Sequence, residues 1–510
     1  MFRLLGLLGG LSLATDLGTG APLEESLKRS VVAARLARVL GSDRIDAGEV
    51  IYTSLLQHLG CTAYAHETAQ VWGDDVTLVR LAFMTDFTHQ RDVWGTFVGG
   101  LAGSTGWSRP RVVATALTRG RQAEAAGPAA TCEVARDASR LLGLPETVQT
   151  NLFHALSMWN GKGHPRVAGD AIPPATRVMH VASVAVLFAL HAGTDEAVAQ
   201  VRRRAGTYLD PVLADALADH AVELLADLDE IDAYTEVLDA EPDPVRLVAD
   251  DQLTTVARTF GNLADLKSPW LQGHSAAVAE LATAAVHGLG LSDHAATVQV
   301  AGHLHDLGRM GVADRIWDKP GPLSAGERDQ ARLHAYHSER ILARVPALAD
   351  VAVLAGQHHE RCDGSGYHRG LTGHQLTMPS RTLAAADEFR SLVEDRPYRP
   401  ALTPAAAGRR LQADVREGRL DGDAVAAVVT AAGLGPRARR SRPADLTDRQ
   451  VEVLRLVAGG LSNRQIAERL VISTRTAEHH VQDVYAKIGA STRAAAALFA
   501  MAHGLIEKPG

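Results

Sequence analysis

The chain has 510 residues, of which 46% are hydrophobic and 22% are charged, and its formal net charge is −7. Such a length allows about three domains of ordinary size, and such a composition is typical of a soluble globular protein. The three cysteines, Cys61, Cys132 and Cys362, form no C-x-x-C pair, which argues against a disulfide framework and favours a reducing cytoplasm. Alanine-rich stretches with few β-branched runs favour helices, so we expect an all-α fold.

The first element is an apolar run from Leu4 to Ala14, which superficially resembles a signal peptide. We expect a buried first helix instead, because residues 12–26 resemble residues 261–275 and align Asp16 with Asp265. A segment that recurs inside the chain is more typical of a domain than of a targeting sequence. No apolar run reaches the roughly 18 residues of a transmembrane helix, so no membrane partner is expected.

Four further matches follow in the same order and indicate a divergent duplication. Each match is weak alone, but four in one order are hard to obtain by chance. Between the first two of them, the first copy is longer by roughly 45 residues. The matching segments are 55–61 with 303–309, 159–165 with 362–368, 177–183 with 381–387, and 206–210 with 418–422.

Two stretches are interpreted as connectors between domains. Residues 235–244 (TEVLDAEPDP) are charged and contain prolines, and residues 435–443 (GPRARRSRP) are rich in arginine and proline. Contact of these arginines with phosphate is a minor alternative to a solvated linker. The two connectors predict three domains, at residues 1–235, 236–436 and 437–510.

Half of the histidines lie in one part of the second copy, since 11 of the 22 fall between residues 274 and 374. Imidazole and carboxylate are ligands that suit Fe, Mn or Zn at neutral pH. An apolar helical run at residues 298–304 ends directly before an adjacent His-Asp pair. Five imidazoles and two carboxylates are too many for one tetrahedral ion but fit two ions that share a bridging aspartate. The candidate ligands are His274, His305, Asp306, His334, His358, His359 and Asp387.

The order of these residues, together with the segment HHERCDGSGYH at 358–368, resembles the HD-GYP branch of the HD phosphohydrolase superfamily over residues 265–435. The resemblance implies a helical domain that hydrolyses cyclic di-GMP with two divalent ions, commonly iron or manganese. Asp306 would bridge the ions, the first of which would also bind His274, His305 and Asp387, and the second His334, His358 and His359. The resemblance also implies catalytic roles for Asp306 and Arg309 and substrate contact by the loop residues Asp363, Gly364, Gly366 and Tyr367.

Three residues depart from the pattern of this family. Arg309 stands in place of a lysine, so it keeps the charge and can bind phosphate through two hydrogen bonds, but it cannot donate a proton near pH 7. His368 replaces the proline of the GYP sequence, which is expected to loosen the loop. Trp270 stands where some relatives carry a glutamate ligand for a third ion, so two ions are expected.

The corresponding positions of the first copy lack metal-binding chemistry. They hold Glu25, Gln57, His58, Ala155, Leu156 and Ser183. Alanine, leucine and serine cannot hold an iron-type ion, so we expect this copy to be catalytically inactive. Ligand binding, dimerisation and restraint of the second copy are its candidate roles, and its own histidines, His154, His164 and His180, are interpreted as incidental polar residues.

The C-terminal part differs from the rest of the chain in charge. Residues 437–510 carry 12 basic and 7 acidic side chains, whereas the rest of the chain has a net charge of −12. Thr447 is a candidate N-cap of a first helix, which is followed by helices at 463–470 and 474–488 and by a fourth helix with Ser491 as its cap. Two short helices joined by a tight turn are typical of a helix-turn-helix, whose second helix enters the major groove.

Residues 446–493 resemble the LuxR-type helix-turn-helix domain almost throughout. Together with the basic charge, this resemblance predicts DNA binding through residues 437–510, and a helical protein-interaction bundle is the alternative. It implies that three residues face the bases, namely Glu478, His479 and Gln482. It further implies that four residues contact phosphates and set the register, namely Arg464, Thr474, Arg475 and Lys487.

The whole sequence predicts a cytoplasmic transcriptional regulator, expected to be a homodimer, in which two tandem HD-like helical domains precede a four-helix LuxR-type domain. Two functions remain open at this point. One is metal-dependent hydrolysis of cyclic di-GMP coupled to DNA binding, and the other is ligand sensing without useful turnover, with DNA binding as the sole output. Hydrolysis of another phosphate ester is a third option, because membership of a superfamily indicates the type of reaction more reliably than it indicates the substrate.

Overall fold

The computed structural model describes residues 1–41, 45–434 and 443–506. The chain forms two compact units, Met1–Asp250 and Asp251–Gly510. Both units are built almost entirely from helices, which confirms the all-α fold. The two strands found in the described residues, β1 (Phe2–Arg3) and β2 (Leu247–Val248), pair in antiparallel orientation and join the two ends of the first unit. The three predicted domain ranges stay predictions.

The first unit has a hydrophobic core to which its longest helices contribute. α1 is buried from Leu4 to Asp16, which confirms the predicted buried first helix. α11 packs against α2 and α12, and buried residues such as Leu36, Val178 and Val201 fill the space between them. In chain order the helices are α1 (Leu4–Gly18), α2 (Glu25–Leu40), α3 (Ala47–Leu55), α4 (Ala65–Trp72), α5 (Asp75–Met84), α6 (Gln90–Asp92), α7 (Gly99–Thr105), α8 (Arg109–Thr115), α9 (Arg121–Leu141), α10 (Glu146–Phe153), α11 (Pro174–Ala192), α12 (Thr194–Arg204), α13 (Pro211–Asp219), α14 (Ala221–Leu224) and α15 (Ala233–Ala240).

Helix α11 is long and apolar enough to cross a membrane when judged by length and composition alone. It has 19 residues, and 67% of its most apolar window is buried inside the fold. Its polar side chains also serve the interior: Thr176 Oγ1 donates to the backbone oxygen of Asn151 at 3.0 Å, and His180 Nε2 donates to that of Ala155 at 2.9 Å. Core helices pass the same test of length and composition, so this helix is weak evidence for a membrane span.

The prediction of a connector at residues 235–244 is wrong for its first part, which is helical and belongs to α15. Val237 is buried, and α15 packs against α1 and α2. The residue that follows the helix, Glu241, accepts a hydrogen bond from Tyr52 Oη at 2.6 Å. The charged side chains at 235–240 therefore belong to a helix that packs against the core, and they do not mark a linker. Residues 435–442, which make up most of the second predicted connector, lie outside the described residues.

The second unit begins with helices that pack around its histidine-rich positions. α17 packs against α18 and α22, and α20 packs against α21 and against the 3₁₀ turn Leu307–Gly311. In chain order the helices are α16 (Asp250–Asp265), α17 (His274–Gly288), α18 (Ala295–Leu304), α19 (Asp314–Trp317), α20 (Ala325–Ala343), α21 (Ala349–Gly356), α22 (Met378–Leu392), α23 (Pro404–Arg416), α24 (Gly422–Leu434), α25 (Asp448–Ala458), α26 (Asn463–Leu470), α27 (Thr474–Ile488) and α28 (Arg493–Ala502).

The C-terminal helices α25 to α28 are the four helices predicted from the sequence. Thr447 and Gln450 form a capping box at the start of α25, and Ser462 and Gln465 form another at the start of α26. α26 ends at a left-handed residue, Val471, and α27 begins three residues later. Capping boxes at successive helices fix where each begins, which explains why these bounds could be predicted closely.

The cap predicted for the fourth helix is wrong by one residue. Thr492, and not Ser491, accepts the hydrogen bond of the backbone N–H of Ala495 through its hydroxyl. Both residues carry a hydroxyl group, so composition alone does not distinguish them. The choice depends on the backbone, which is extended at Thr492 with φ −120° and ψ 157°.

Candidate metal centre and helix-turn-helix surface

The seven candidate ligands come from five separate segments of the second unit. They lie at the start of α17, directly after α18, within α20, after α21 and within α22. Six of them are buried, and His359 is half-buried. His274 Nε2 and Asp387 Oδ1 lie 3.2 Å apart although they are separated by 113 positions in the sequence. The fold therefore brings together all the residues that were selected as candidate ligands.

Asp306 lies between two pairs of imidazoles. Its Oδ2 is 3.1 Å from His305 Nε2 and 3.7 Å from His274 Nε2. Its Oδ1 is 3.3 Å from His334 Nε2 and 3.6 Å from His358 Nε2. One carboxylate thus presents each oxygen to a different pair of histidines, which is the arrangement needed to bridge two cations.

The second carboxylate of the cluster, Asp387, also contacts histidines on both sides. Its Oδ1 is 3.2 Å from His274 Nε2 and 3.8 Å from His305 Nε2, and its Oδ2 is 3.8 Å from His359 Nδ1. Two groups, His274 with His305 and Asp306, and His334 with His358 and His359, each place their ligand atoms within 4.8 Å of one another. Such spacing allows each group to hold one cation.

Several buried polar atoms of the cluster fit a positively charged ligand. His305 Nε2 and both carboxylate oxygens of Asp306 are buried and make no hydrogen bond of good geometry to any described residue. A buried polar atom without a partner costs about 1–3 kcal/mol, and a divalent cation would satisfy these atoms. Imidazole nitrogen and carboxylate oxygen are also the donors that Fe, Mn and Zn use in proteins. These residues therefore fit a pair of metal ions.

The buried groups of the cluster strongly affect one another's charge. Burial opposes ionisation of Asp306, but the charges of Arg309 and His305 outweigh burial and hold the pKa of Asp306 well below its usual range. Burial also opposes protonation of His305, yet the charge of Asp306 raises the pKa of His305 to about 10. At His334 burial outweighs the attraction of Asp306 and lowers the pKa to about 3. An ionised bridging carboxylate and a neutral imidazole at His334 are the forms that bind metal.

Arg309 lies against the bridging carboxylate. Its Nε is 2.8 Å from Asp306 Oδ2, and its guanidinium carbon lies 4.6 Å from the centroid of the Trp317 ring. The same tryptophan packs edge-on against His334, with ring centroids 5.5 Å apart. Sequence reasoning selected Arg309 but missed Trp317, because no motif marks this residue and its contact with both groups depends on the fold.

The glycine loop that follows the histidine pair begins with a tight turn. Asp363 Oδ1 accepts hydrogen bonds from Ser365 N at 2.9 Å and from Ser365 Oγ at 2.6 Å, so this carboxylate is engaged within the loop. Gly364 has a φ of +80°, which favours glycine. A Cβ at Gly366 would collide with the backbone of Arg361. Asp363, Gly364 and Gly366 therefore shape the loop, and their contact with substrate stays a prediction.

Tyr367 brings this loop into contact with the cluster. Its ring stacks on His359 with 4.7 Å between the ring centroids and an interplanar angle of 28°. Arg332 lies over the Tyr367 ring at 5.3 Å. At the next position, His368 Nε2 is 3.2 Å from Glu339 Oε2 on α20. A proline could not make this contact, which joins the loop to α20 at the position of the GYP proline.

The seven residues predicted to contact DNA are all exposed, one on α26 and six on α27. Arg475, His479 and Gln482 recur at intervals that place them on one face of α27. Lys487 Nζ also has partners within the protein, since it donates to Asp445 O at 3.0 Å and to Gln450 Oε1 at 2.9 Å. Their contacts with DNA stay predictions.

Family models match two parts of the second unit. Residues 258–424 match the model described as HD domain, and residues 444–500 match the model of bacterial regulatory proteins of the luxR family. The chain contains an HD domain followed by a LuxR-family domain. The HD domain includes all seven candidate ligands, and the LuxR-family domain includes all seven residues predicted to contact DNA.

Similarity to curated proteins extends beyond the HD domain. A 3′3′-cGAMP-specific phosphodiesterase 3 of Vibrio cholerae serotype O1 is 29% identical over 409 residues, which cover 79% of this chain and 88% of the relative. A cyclic di-GMP phosphodiesterase of Thermotoga maritima is 35% identical over 153 residues, but only 42% of its length is covered. The crystal structure of a cyclic GMP-AMP specific phosphodiesterase of V. cholerae has a TM-score of 0.59 and 25% identity, and the match covers 85% of this chain and 98% of that one.

In the first unit, arginines surround the positions that correspond to the ligands of the HD domain. Arg80 Nη1 donates to both carboxylate oxygens of Glu25, at 3.0 and 2.8 Å. Arg29 Nη1 lies 2.7 Å from Nε2 of His58, the counterpart of Asp306. Two of its site residues are thus engaged with guanidinium groups. The inactivity of this copy stays a prediction.

Sequence reasoning missed one carboxylate of the HD domain that contacts a candidate ligand. Glu394 Oε2 lies 2.9 Å from His274 Nδ1, and the exposed fraction of Glu394 is only 2%. This residue follows the end of α22 and belongs to no motif. Its closeness to His274 results from the packing of α17 against α22, which the local sequence does not reveal.

Proposed function

We propose that the HD domain hydrolyses a phosphodiester bond of a cyclic dinucleotide with two divalent ions, iron or manganese, and that the LuxR-family domain binds DNA as the output of a transcriptional regulator. The observation that carries this proposal is the position of Asp306, whose two oxygens face different pairs of imidazoles. Asp306 Oδ1 and His305 Nε2 are buried without a hydrogen bond of good geometry to the described residues, and a pair of ions would use both atoms.

Two sets of residues would hold the ions. Asp306 would be shared, with His274, His305 and Asp387 completing one set and His334, His358 and His359 completing the other. Such ions supply Lewis acidity, which lowers the pKa of water and stabilises negative charge that develops on a phosphate. The protein contributes the fixed positions of the ligands and their burial from bulk water.

Arg309 and Tyr367 are the groups beside the ligands that suit a phosphate ester. Arg309 can donate two parallel hydrogen bonds to phosphate oxygens, and because it keeps its proton at neutral pH it binds and orients phosphate without transferring protons. Burial raises the pKa of Tyr367, so its hydroxyl group stays protonated and can donate a hydrogen bond. The two side chains therefore supply donors for an anionic substrate.

The substrate that we propose is 3′3′-cGAMP or cyclic di-GMP, which present the same kind of phosphodiester bond. The relative named as 3′3′-cGAMP-specific is aligned over 88% of its length, which supports the first of these. Cyclic di-GMP is the substrate implied by the HD-GYP resemblance, and it is named for a relative that is aligned over 42% of its length. The two dinucleotides differ in one base, so residues that contact the base decide between them.

The test is a hydrolysis assay on protein purified without oxygen. Bound Fe and Mn are measured first, and the protein is then incubated with 3′3′-cGAMP and with cyclic di-GMP in parallel. We expect a linear or mononucleotide product from at least one substrate, and we expect His305→Ala and Asp306→Ala to lower the rate by about 100-fold or more. Metal present without product from either substrate would overturn the hydrolase proposal for both.

A second candidate function is sensing without turnover. The observation in its favour is the ion pair of Arg309 with Asp306 at 2.8 Å, because this arginine balances the bridging carboxylate and cannot supply a proton. A DNA-shift assay with and without each dinucleotide tests it. Altered DNA affinity in a protein that forms no product would support sensing, and hydrolysis at an unchanged DNA affinity would exclude it.

A further inference from the structure

Three ligand histidines of the HD domain are oriented by the backbone of their own helical segments. His305 Nδ1 donates to Gly302 O at 2.8 Å, His334 Nδ1 to Ala331 O at 2.6 Å, and His358 Nδ1 to Ala355 O at 2.5 Å. In each case the acceptor lies three residues earlier. A carbonyl oxygen can only accept a hydrogen bond, so Nδ1 carries a ring proton in each case and Nε2 is the nitrogen that faces the cluster.

His274 cannot use this arrangement because it is the first residue of α17. The carbonyl oxygen three residues earlier, on Leu271, already accepts the backbone N–H of His274 at 2.8 Å. The Nδ1 of His274 instead faces Glu394 Oε2 at 2.9 Å, while its Nε2 points to Asp387 Oδ1 at 3.2 Å. At His274 a carboxylate thus takes the place that a backbone carbonyl has at His305, His334 and His358.

We propose that Glu394 is a positioning residue that fixes the tautomer and ring orientation of His274 and thereby strengthens one of the two metal sites. This inference rests on the metal pair of the proposed function. A carboxylate behind a histidine ligand holds the ring proton on the outer nitrogen and makes the inner nitrogen a better donor to metal. The site that contains His274 therefore depends on Glu394, and the site that contains His334, His358 and His359 does not.

Glu394 is itself held in place by arginines. Arg396 Nη2 donates to Glu394 Oε2 at 2.9 Å, and Arg396 Nη1 donates to the backbone oxygen of Trp270 at 2.6 Å. Arg390 Nη2 lies 3.5 Å from the other carboxylate oxygen. Arg396 thus connects the carboxylate to the backbone four residues before His274. Glu394 is therefore linked to His274 directly at Nδ1, and also through Arg396 to the backbone that precedes His274.

The first copy offers a natural comparison for this role. Leu190 stands at the position that corresponds to Glu394, and Glu25 stands at the position that corresponds to His274. The copy that lacks the histidine therefore also lacks the carboxylate.

The test is a titration of metal-stripped full-length protein with Mn²⁺, followed by calorimetry and by electron paramagnetic resonance. We expect two ions per chain in the natural sequence. In Glu394→Gln we expect one ion to bind as before and the other to bind about 10–100-fold more weakly, and in Glu394→Leu we expect a larger loss at the same site, because leucine cannot accept the ring proton. Asp395→Asn is the matched control, since Asp395 accepts a hydrogen bond from Ala401 N at 2.8 Å and lies on the surface.

The outcomes separate this inference from the proposed function. Equal weakening of both ions, or no weakening in either Glu394 variant, would overturn the positioning role. Selective weakening of one ion in a protein that hydrolyses neither dinucleotide would support the positioning role and overturn the hydrolase proposal. Failure of the natural protein to bind Mn²⁺ or Fe²⁺ would overturn both. Circular dichroism of each variant checks that the fold is retained.

Discussion

The two units share a set of contacts beside their site residues, although only the HD domain carries the candidate ligands. In the HD domain, Asp265 accepts hydrogen bonds from Ser275 N at 2.9 Å and from Ser275 Oγ at 2.7 Å. In the first unit, Asp16 accepts from the backbone and hydroxyl groups of Ser26, also ten residues later. The two units therefore share this contact although their site residues differ.

A second shared contact identifies a correspondence that sequence comparison missed. A Cβ at Gly308 would collide with the backbone oxygen of His334, and a Cβ at Gly60 would collide with that of Thr131. Both glycines are required by the close approach of a long helix, α20 in the second unit and α9 in the first. Thr131 thus stands where the HD domain has the candidate ligand His334.

The difference between the units lies in the source of positive charge. Arg29 is almost completely buried, and it donates to Ser54 O at 2.9 Å and to Ser26 Oγ at 2.8 Å, while its Nη1 lies 2.7 Å from His58. Burial lowers the pKa of this arginine. The first unit thus holds a covalently attached cation at the place where the HD domain would hold metal ions.

The largest effect is expected from removal of this arginine. Arg29→Met would leave Ser26, His58 and the neighbouring Asp16 without their cation, and loss of one partner of a buried charged network costs about 3–5 kcal/mol. Thermal or denaturant unfolding of the full chain measures the loss. Arg38→Met, at an exposed position of the same helix, is the control and should change stability by less than about 0.5 kcal/mol. A small effect of Arg29→Met would show that the buried cation is not needed.

Removal of metal should act on the HD domain alone. If the metal is present at about 100 times its dissociation constant, its binding stabilises the folded protein by about 3 kcal/mol. Chelation removes this stabilisation. Hydrogen exchange should therefore become faster in α17, α18 and α20, whereas α2 and α3 should be unaffected because their cation belongs to the chain. Equal acceleration in both units would contradict the comparison.

A pH effect is expected from His180 in the first unit, whose counterpart in the HD domain is Ala384. Burial lowers the pKa of His180 to about 4. Because this pKa lies below that of the unfolded chain, the unfolded state binds the proton first, so stability is lost as the pH falls from about 6.5 towards 4. The loss attributable to His180 at pH 5 relative to pH 7 should be about 2 kcal/mol.

The measurement compares denaturant unfolding of the natural protein and of His180→Ala at several pH values. The variant loses a hydrogen bond to Ala155, so its stability at neutral pH also changes, and only the slope with pH is informative. A slope that is the same in both proteins would mean that His180 is not the group responsible.

The smallest effect concerns the shared aspartate–serine contact. Ser275→Ala removes one hydrogen bond to Asp265 and should cost about 1 kcal/mol. Ser26→Ala should cost more, because Ser26 also accepts a hydrogen bond from Arg29. Unfolding of each variant by denaturant provides the comparison. A greater cost for the HD-domain variant would indicate that Arg29 contributes nothing through this serine.

Much of the fold could be predicted because its signals are local. Thr447, predicted as the N-cap of the first C-terminal helix, marked the start of α25. The apolar run before His305 marked α18 as a helix that ends at the candidate ligands. The stretch at 235–244 misled the prediction because charged residues are also compatible with a helix packed by one face against a core, and its prolines, Pro242 and Pro244, follow the end of that helix.

The candidate site was predicted less completely than the fold. Its seven ligand positions were selected by residue type and order, and the fold places them together, whereas their binding of metal stays a prediction. Trp317 and Glu394 were missed because neither residue type is a signal by itself. Their significance comes from what they touch: Arg309 and His334 in one case, and His274 in the other.

The sequence alone determined the all-α fold, the two recognisable domains and the candidate ligands, because helix propensity, capping and metal-ligand chemistry are properties of residue types and short spacings. Only the tertiary structure decided which oxygen of Asp306 faces which histidines, which group orients His274, and that Arg29 lies beside His58 in the first unit. These relations join residues from different helices, and they depend on how the helices pack.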